Sequence, residues 1–223
     1  MYLNNSKKIL IKIGSSLLVD NKGKPKRKWL DELVNDIKYL IKQKKEIIIV
    51  SSGAIALGAK YLNLKKDELK LDKCQAASSI GQIELMNFYK AAFNYRNIKV
   101  SQILLTLDDT EQRRRSLNAK RTIDNLLSMR IIPIVNENDT TATTEIRYGD
   151  NDRLASRVAQ ITGADCLILF SDVDGLYKKN NGKNELIKIV RKISKKIENY
   201  ATNKKNYYGS GGMKTKIDAA KIC

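Results

Sequence analysis

Apolar positions along the chain follow two alternating spacings. Short apolar runs, several rich in β-branched residues, fall at 8–13, 46–51, 100–105, 131–135 and 166–170. Runs of this length predict strands buried in a sheet. Between them the spacing changes to that of a helix: Leu30, Leu33, Val34, Ile37, Leu40 and Ile41 share one face of a helix expected over 29–42. Further helices are expected over 74–95, 114–129, 150–161 and 192–200, with a last one beginning near Gly212. Residues 143–148 read as a hairpin strand and 186–190 as one more strand, while 20–28 and 178–184 read as exposed turns too short to link domains. Strands spaced by helices predict βαβ units, hence an α/β fold with a mainly parallel sheet sandwiched between helices. No fixed-period repeat appears. The 223 residues suit one domain able to bury a core.

In open parallel sheets, ligands collect at the carboxyl ends of the strands. Here those ends carry small, polar and acidic residues: Gly14-Ser15-Ser16, Ser51-Ser52-Gly53, Asn136-Glu137-Asn138-Asp139 and Ser171-Asp172-Val173-Asp174-Gly175. Together they outline one candidate cleft. Gly14 and Gly53 would let backbone amides approach an anion, although a Gly-Ser pair after a strand is most often only a turn. Lys12 interrupts the apolar run of the first strand, either solvated at the sheet edge or reaching into the cleft. Gly149-Asp150-Asn151-Asp152 opens a helix with more capping residues than capping needs. Gly209-Ser210-Gly211-Gly212-Met213-Lys214-Thr215-Lys216 places three glycines before a helix start, where free amides and the dipole favour an anion. Lys216, in the first turn or so, opposes that dipole and makes sense beside a phosphate; the plainer reading is a flexible loop with a solvated lysine. No GxxxxGK[ST] sequence and no GxGxxG opening the first helix is present.

Composition removes several classes. Hydrophobic residues are 42% and charged residues 30%, a globular balance. No apolar run approaches the roughly 20 residues of a membrane-spanning helix, and the polar first residues lack the apolar core of a signal peptide. There is no histidine, and Cys74, Cys166 and Cys223 are isolated, which argues against structural zinc and a disulfide framework. Free cysteines without a secretion signal point to the cytosol. The formal charge of +18 fits either an anionic partner or a compositional bias toward Lys, Asn and Ile; the even spread of lysines and the lack of basic-aromatic interleaving favour the bias.

Taken in order, the segments IKIGSSLL, VSSGAIALG, VNENDTT, YGDNDRLASRVA, LFSDVDGLY and GSGGMKTKIDAA resemble the amino acid kinase family across essentially the whole chain. The pairing of NEND with GDND resembles the members that phosphorylate the side-chain carboxylate of glutamate, the first step of proline biosynthesis. The resemblance implies a three-layer αβα fold, ATP with Mg²⁺, glutamate as substrate, a homo-oligomer and proline as a feedback inhibitor. It also implies roles. Lys12 and Lys216 would be the catalytic lysines and Asp152 the aspartate that orients both. Ser52, Asn136, Asp139 and Asn151 would bind glutamate. Lys12, Gly14, Ser171, Asp172 and the loop Ser210, Gly211, Gly212, Met213, Lys214, Thr215 and Lys216 would bind ATP, with no resident metal site. Ser171 and Ser210 replace threonines that the family commonly has, and Lys214 replaces a small residue. The family domain usually continues with more strand and helix, and many members add a PUA domain; residues 1–223 are expected to be one kinase domain short of its C-terminal end, without that domain. Two alternatives stand beside this: another kinase of the same fold acting on aspartate, acetylglutamate or uridylate, and a basic nucleic-acid-binding protein. Neither a specific nucleic-acid partner nor a membrane is expected.

Overall fold

The computed structural model describes residues 2–20, 23–65, 68–141, 151–180, 183–201 and 212–223. In chain order the elements are α1 (Tyr2–Asn5), β1 (Lys8–Ile13), α2 (Ser15–Leu18), α3 (Arg27–Lys42), β2 (Glu46–Ser51), α4 (Ala54–Tyr61) and α5 (Leu71–Asn94). These lead to β3 (Lys99–Leu105), α6 (Leu107–Glu111), α7 (Arg113–Ser128), β4 (Ile131–Glu137), α8 (Asn151–Thr162) and β5 (Cys166–Phe170). Then come β6 (Leu176–Asn180), β7 (Lys183–Ile187), α9 (Lys195–Tyr200) and α10 (Met213–Ile222).

Five strands form one sheet in the order β3-β4-β2-β1-β5, every neighbouring pair parallel. The α/β fold with its sandwiched parallel sheet is as the sequence predicts. Strand parity assigns the two cores. Ile9, Ile11, Ile13, Ile47 and Ile49 face α2 to α5, meeting Leu30, Val34, Ile37, Leu85 and Phe93. Leu10, Ile48 and Val50 face α7 and α8, meeting Ile123, Leu154 and Val158. Because side chains alternate across a strand, Lys12 belongs to the α8 side with Leu10. The register sets the strand ends level: Ile13 pairs with Ser51 and Phe170, and one residue past the Val50–Val135 row lie Ser51 and Asn136.

Three readings need correction. Residues 178–184, expected as an exposed turn, belong mostly to β6 and β7, which pair antiparallel in a separate two-stranded sheet. Its strand β7 is Lys183–Ile187, where 186–190 was expected, and an ion pair of 3.1 Å ties Lys178 to Glu185 across it. The hairpin signal was present in the sequence as Asn181-Gly182. The helix expected at 192–200 starts only at Lys195. The expected strand at 143–148 lies outside the described residues. Sequence spacing also passed over α4.

α4 and α5 cross at two glycines. A Cβ on Gly81 would sit 1.7 Å from the Ala54 carbonyl oxygen, and one on Gly58 would sit 1.7 Å from that of Ala77. Only helices without side chains at the crossing approach so closely. Gly81→Ala should therefore destabilise the fold by about 3 kcal/mol, since overpacking outweighs the roughly 1 kcal/mol that alanine gains in a helix. The exposed neighbour change Ser79→Ala should cost less than about 0.5 kcal/mol. Urea unfolding of both variants measures this; equal midpoints would mean that the helices do not cross at Gly81.

Candidate functional site

The first cluster forms where β1, α8 and α10 meet. Asp152 stands in the first turn of α8, on the same buried stripe as Ala155, Ser156 and Ala159. A carboxylate is favoured there by the helix dipole. Its side chain has 0% exposure. Lys12 reaches from β1 to Asp152 Oδ1 at 2.6 Å, and Lys216 from α10 to Asp152 Oδ2 at 3.0 Å. The Thr215 hydroxyl lies 2.9 Å from the same Oδ2 and 2.8 Å from the Gly212 carbonyl, two acceptors that share its one hydrogen. In register Lys12 is flanked by Val50 and Leu169, so its strand neighbours offer no charge.

The protonation energetics follow from this geometry. Burial pushes the Lys12 ammonium below the ordinary lysine range; Asp152 pulls it back, and Lys216 adds to the lowering. For Asp152 burial works toward a higher value, but Lys12 and Lys216 together hold the carboxyl below the ordinary carboxylate range. One carboxylate thus faces two ammonium groups, and the cluster carries a surplus positive charge suited to an anion.

Around this cluster lie the other strand-end residues. A Cβ on Gly14 would come within 4.0 Å of Lys12 Nζ and 3.6 Å of the Phe170 carbonyl oxygen, so the glycine keeps open the space beside that ammonium. Ser171 Oγ donates to Asp172 Oδ1 at 3.3 Å just past β5, and the charge of Asp172 acts on Lys12. Gly212 caps α10, followed by Met213 and the exposed Lys214. Ser210 and Gly211 lie outside the described residues.

A second cluster adjoins the first through Asn151, the residue next to Asp152. Asn151 Nδ2 donates to the Ser51 carbonyl at 2.8 Å, to Ser52 Oγ at 2.7 Å and, more weakly, to Asn136 Oδ1 at 3.3 Å. Asn151 Oδ1 is buried and, among the described residues, has no hydrogen-bond partner. Asp139, 6% exposed, accepts a 2.6 Å hydrogen bond from Ser78 Oγ of α5. Burial pushes its carboxyl above the ordinary value, against the pull of that hydrogen bond. No salt bridge to Asp139 is present among the described residues.

Of the expected site residues, Lys12, Asp152, Thr215 and Lys216 meet in one cluster and Asn151, Ser52 and Asn136 in the other; Gly14 and Asp172 stand near Lys12, Asp139 is held by Ser78, and Met213 and Lys214 open α10. Sequence reading missed a set on α5 and around it. Gln82 donates to the Glu137 carbonyl at 3.2 Å and accepts from Asn136 Nδ2 at 3.1 Å and Gln102 Nε2 at 3.2 Å. Ser51 Oγ and the Tyr89 hydroxyl lie 3.0 Å apart; burial raises the Tyr89 hydroxyl above its usual range despite that bond. The signal was periodic: Ser78, Gln82 and Tyr89 share the buried stripe of α5 with Ala77, Gly81, Leu85 and Phe93. Polar residues at core spacing mark a stripe that does more than pack.

The amino acid kinase family matches residues 7–223. A protein named glutamate 5-kinase from Pelagibacter ubique (strain HTCC1062) is 66% identical over 226 residues, covering 100% of this chain and 61% of its own length. Glutamate 5-kinases of Bradyrhizobium diazoefficiens and Brucella anthropi are 50% and 51% identical, each over 99% of this chain and 60% and 59% of their own lengths. The chain thus spans about 60% of the length of these relatives. The crystal structure of a UMP kinase from Bacillus anthracis has the same fold, with a TM-score of 0.52 at 16% identity, over 81% of this chain and 72% of the other. The family match takes in every described strand and both helices that carry the lysine–aspartate–lysine cluster, and the chain belongs to the amino acid kinase family.

Proposed function

We propose that the chain transfers the γ-phosphoryl group of ATP to the side-chain carboxylate of L-glutamate, giving glutamyl 5-phosphate and ADP, the first step of proline biosynthesis. The observation that carries this reading is the junction of two unlike clusters at Asn151 and Asp152. One holds a surplus of positive charge for phosphate; the other holds a buried carboxylate and an amide oxygen that has no partner among the described residues, suited to an ammonium group. The names and 50–66% identities of the relatives support the same substrate.

A glutamate carboxylate oxygen attacks the γ-phosphorus, the bond to the β,γ-bridging oxygen breaks, and its electron pair leaves on ADP. The attacking carboxylate has an ordinary pKa of about 4.3 and is already ionised at neutral pH. No general base is required, in keeping with a chain without histidine. Phosphoryl transfer then depends mainly on positioning and charge stabilisation. Lys12 and Lys216 meet charge on the phosphoryl oxygens, while Asp152 holds both ammonium groups in place. Asp139 and Asn151 Oδ1 take the α-ammonium group, and Ser52 and Asn136 line the same subsite. Among the described residues no group of three or more Cys, Asp or Glu side chains is built to hold a metal. Both Asp152 oxygens are committed to the lysines. The donor set fits Mg²⁺ carried on the nucleotide's own phosphate oxygens, where it would neutralise further charge. A homo-oligomer and inhibition by proline belong to the same reading and rest on the resemblance. Among the described residues no helix is long and apolar enough to cross a membrane.

ADP release should depend on L-glutamate and be weak with aspartate, N-acetylglutamate or UMP; preference for another acceptor overturns the substrate assignment. Lys12→Ala and Lys216→Ala should each lower turnover by about 10² to 10³ with little change in glutamate binding, the loss expected for one transition-state contact. Near-normal turnover in either would remove its role.

Asp139→Asn should raise the KM for glutamate strongly and leave that for ATP unchanged. It should also stabilise the ligand-free protein at neutral pH. The folded-state carboxyl is raised, so wild-type stability falls as pH climbs from the ordinary carboxylate value through the raised one. The advantage of the variant should disappear in acid, where both states bind the proton. Denaturant unfolding across pH measures this, and a variant less stable than wild type at neutral pH would contradict it.

A further inference from the structure

The polar stripe of α5 has no place in the reaction as described, yet it touches two of the strand ends, those of β4 and β2. Ser78 meets Asp139, Gln82 meets Asn136 and the Glu137 carbonyl, and Tyr89 meets Ser51. Gln82 is 7% exposed and Ser78 fully buried. Packing alone gives no reason for them, since apolar residues of similar size fill a core without desolvating an amide or a hydroxyl.

The orientations of the three amides follow from what carbonyls can do. A backbone carbonyl only accepts, so Gln82 must turn Nε2 toward Glu137 O and Oε1 toward Asn136. Asn136 must then present Nδ2 to Gln82 and Oδ1 to Asn151. Asn151 must answer with Nδ2, which the Ser51 carbonyl independently demands. Its Oδ1 is thereby turned away from the network and left buried without a partner among the described residues. Gln102 of the edge strand β3 supplies a second donor to Gln82 Oε1.

We infer that Gln82 and Ser78 are positioning residues of the amino-acid subsite: Gln82 orients Asn136 and so reinforces the Asn151 orientation that the Ser51 carbonyl also favours, leaving an acceptor to face the ligand's ammonium group, and Ser78 aims the Asp139 carboxylate at the same group. This rests on the glutamate reading above. Neither residue touches the ligand; both act through those that do. Selectivity for an α-amino acid over the corresponding plain diacid then depends on α5, a helix away from the phosphate-binding lysines.

Kinetics of Gln82→Met and Ser78→Ala, with L-glutamate and with glutarate, which lacks the ammonium group, test this. Each variant should raise the KM for L-glutamate about ten- to a hundred-fold, as for an unsatisfied buried polar group of roughly 1–3 kcal/mol. Turnover and the KM for ATP should stay within about two-fold of wild type on the same scale, and the preference for glutamate over glutarate should shrink. In Ser78→Ala the acid limb of glutamate binding should also move to higher pH. Among the described residues the Ser78 hydrogen bond is what opposes burial at Asp139, and a merely structural role would not move that limb. Should Gln82→Met fail to fold, Ser78→Ala decides, since alanine is favoured within a helix. A glutamate KM that stays at the wild-type value, or rises together with that for ATP, overturns the inference. A wild-type protein without glutamate-dependent ADP release overturns the glutamate reading itself, and the inference with it.

Discussion

A carboxylate with no exposure to water, held between two ammonium groups, sets the terms for the rest of the molecule. Burying any one of these charges alone costs several kcal/mol, about what a domain has to spare. Lys12 can occupy the interior of an apolar strand only because α8 brings Asp152 to it. α10 is tied to the body of the fold through Lys216 and Thr215, which reach the same carboxylate. Each Asp152 oxygen is paired with one ammonium group, and the trio is still one formal positive charge in excess. That surplus can be met by an anion without rearranging the trio, the preorganisation that phosphoryl transfer requires.

The adjacent residue has the opposite character. Asn151 donates its amide hydrogens to the protein, and among the described residues its oxygen has no partner and the buried Asp139 carboxylate has only the Ser78 hydroxyl. The first cluster balances its charge with a ligand of negative sign and the second with one of positive sign. Two consecutive residues at one helix start thus divide the labour, Asp152 toward the phosphate side and Asn151 toward the amino-acid side. A zwitterionic acceptor and a polyanionic donor are brought to one junction by a single turn of α8.

Much of this was legible beforehand, unevenly. The run Lys8–Ile13 showed its strand and showed Lys12 as its one interior charge. Its partner could not be read from spacing, because Asp152 lies far along the chain at a helix start where an acidic residue caps well anyway; the family resemblance supplied that link. Periodicity reports which face of an element is buried, not what it is buried against. Hence Ser78, Gln82 and Tyr89 were passed over, although their spacing put them on the core stripe of α5. α4 escaped because Gly58 stands within it and glycine reads as a helix weakness, when here it is what lets another helix come close. The β6–β7 pair escaped because its lysines and asparagines look like a solvated turn.

The glycine crossing of α4 and α5 gives the two halves of the site different mechanical standing. The lysine–aspartate side is built from β1, α8 and α10, and no residue of α5 belongs to it. The amino-acid side leans on Ser78 and Gln82, which flank Gly81, the point where α5 rests directly on the backbone of α4. For an engineer, α5 is a wall of the acceptor subsite whose position is set at the glycine crossing. Bulk added at the crossing would displace the residues that frame the acceptor and leave the lysine–aspartate grip in place. Screens for altered acceptor choice would then find their hits at glycines that never meet a ligand.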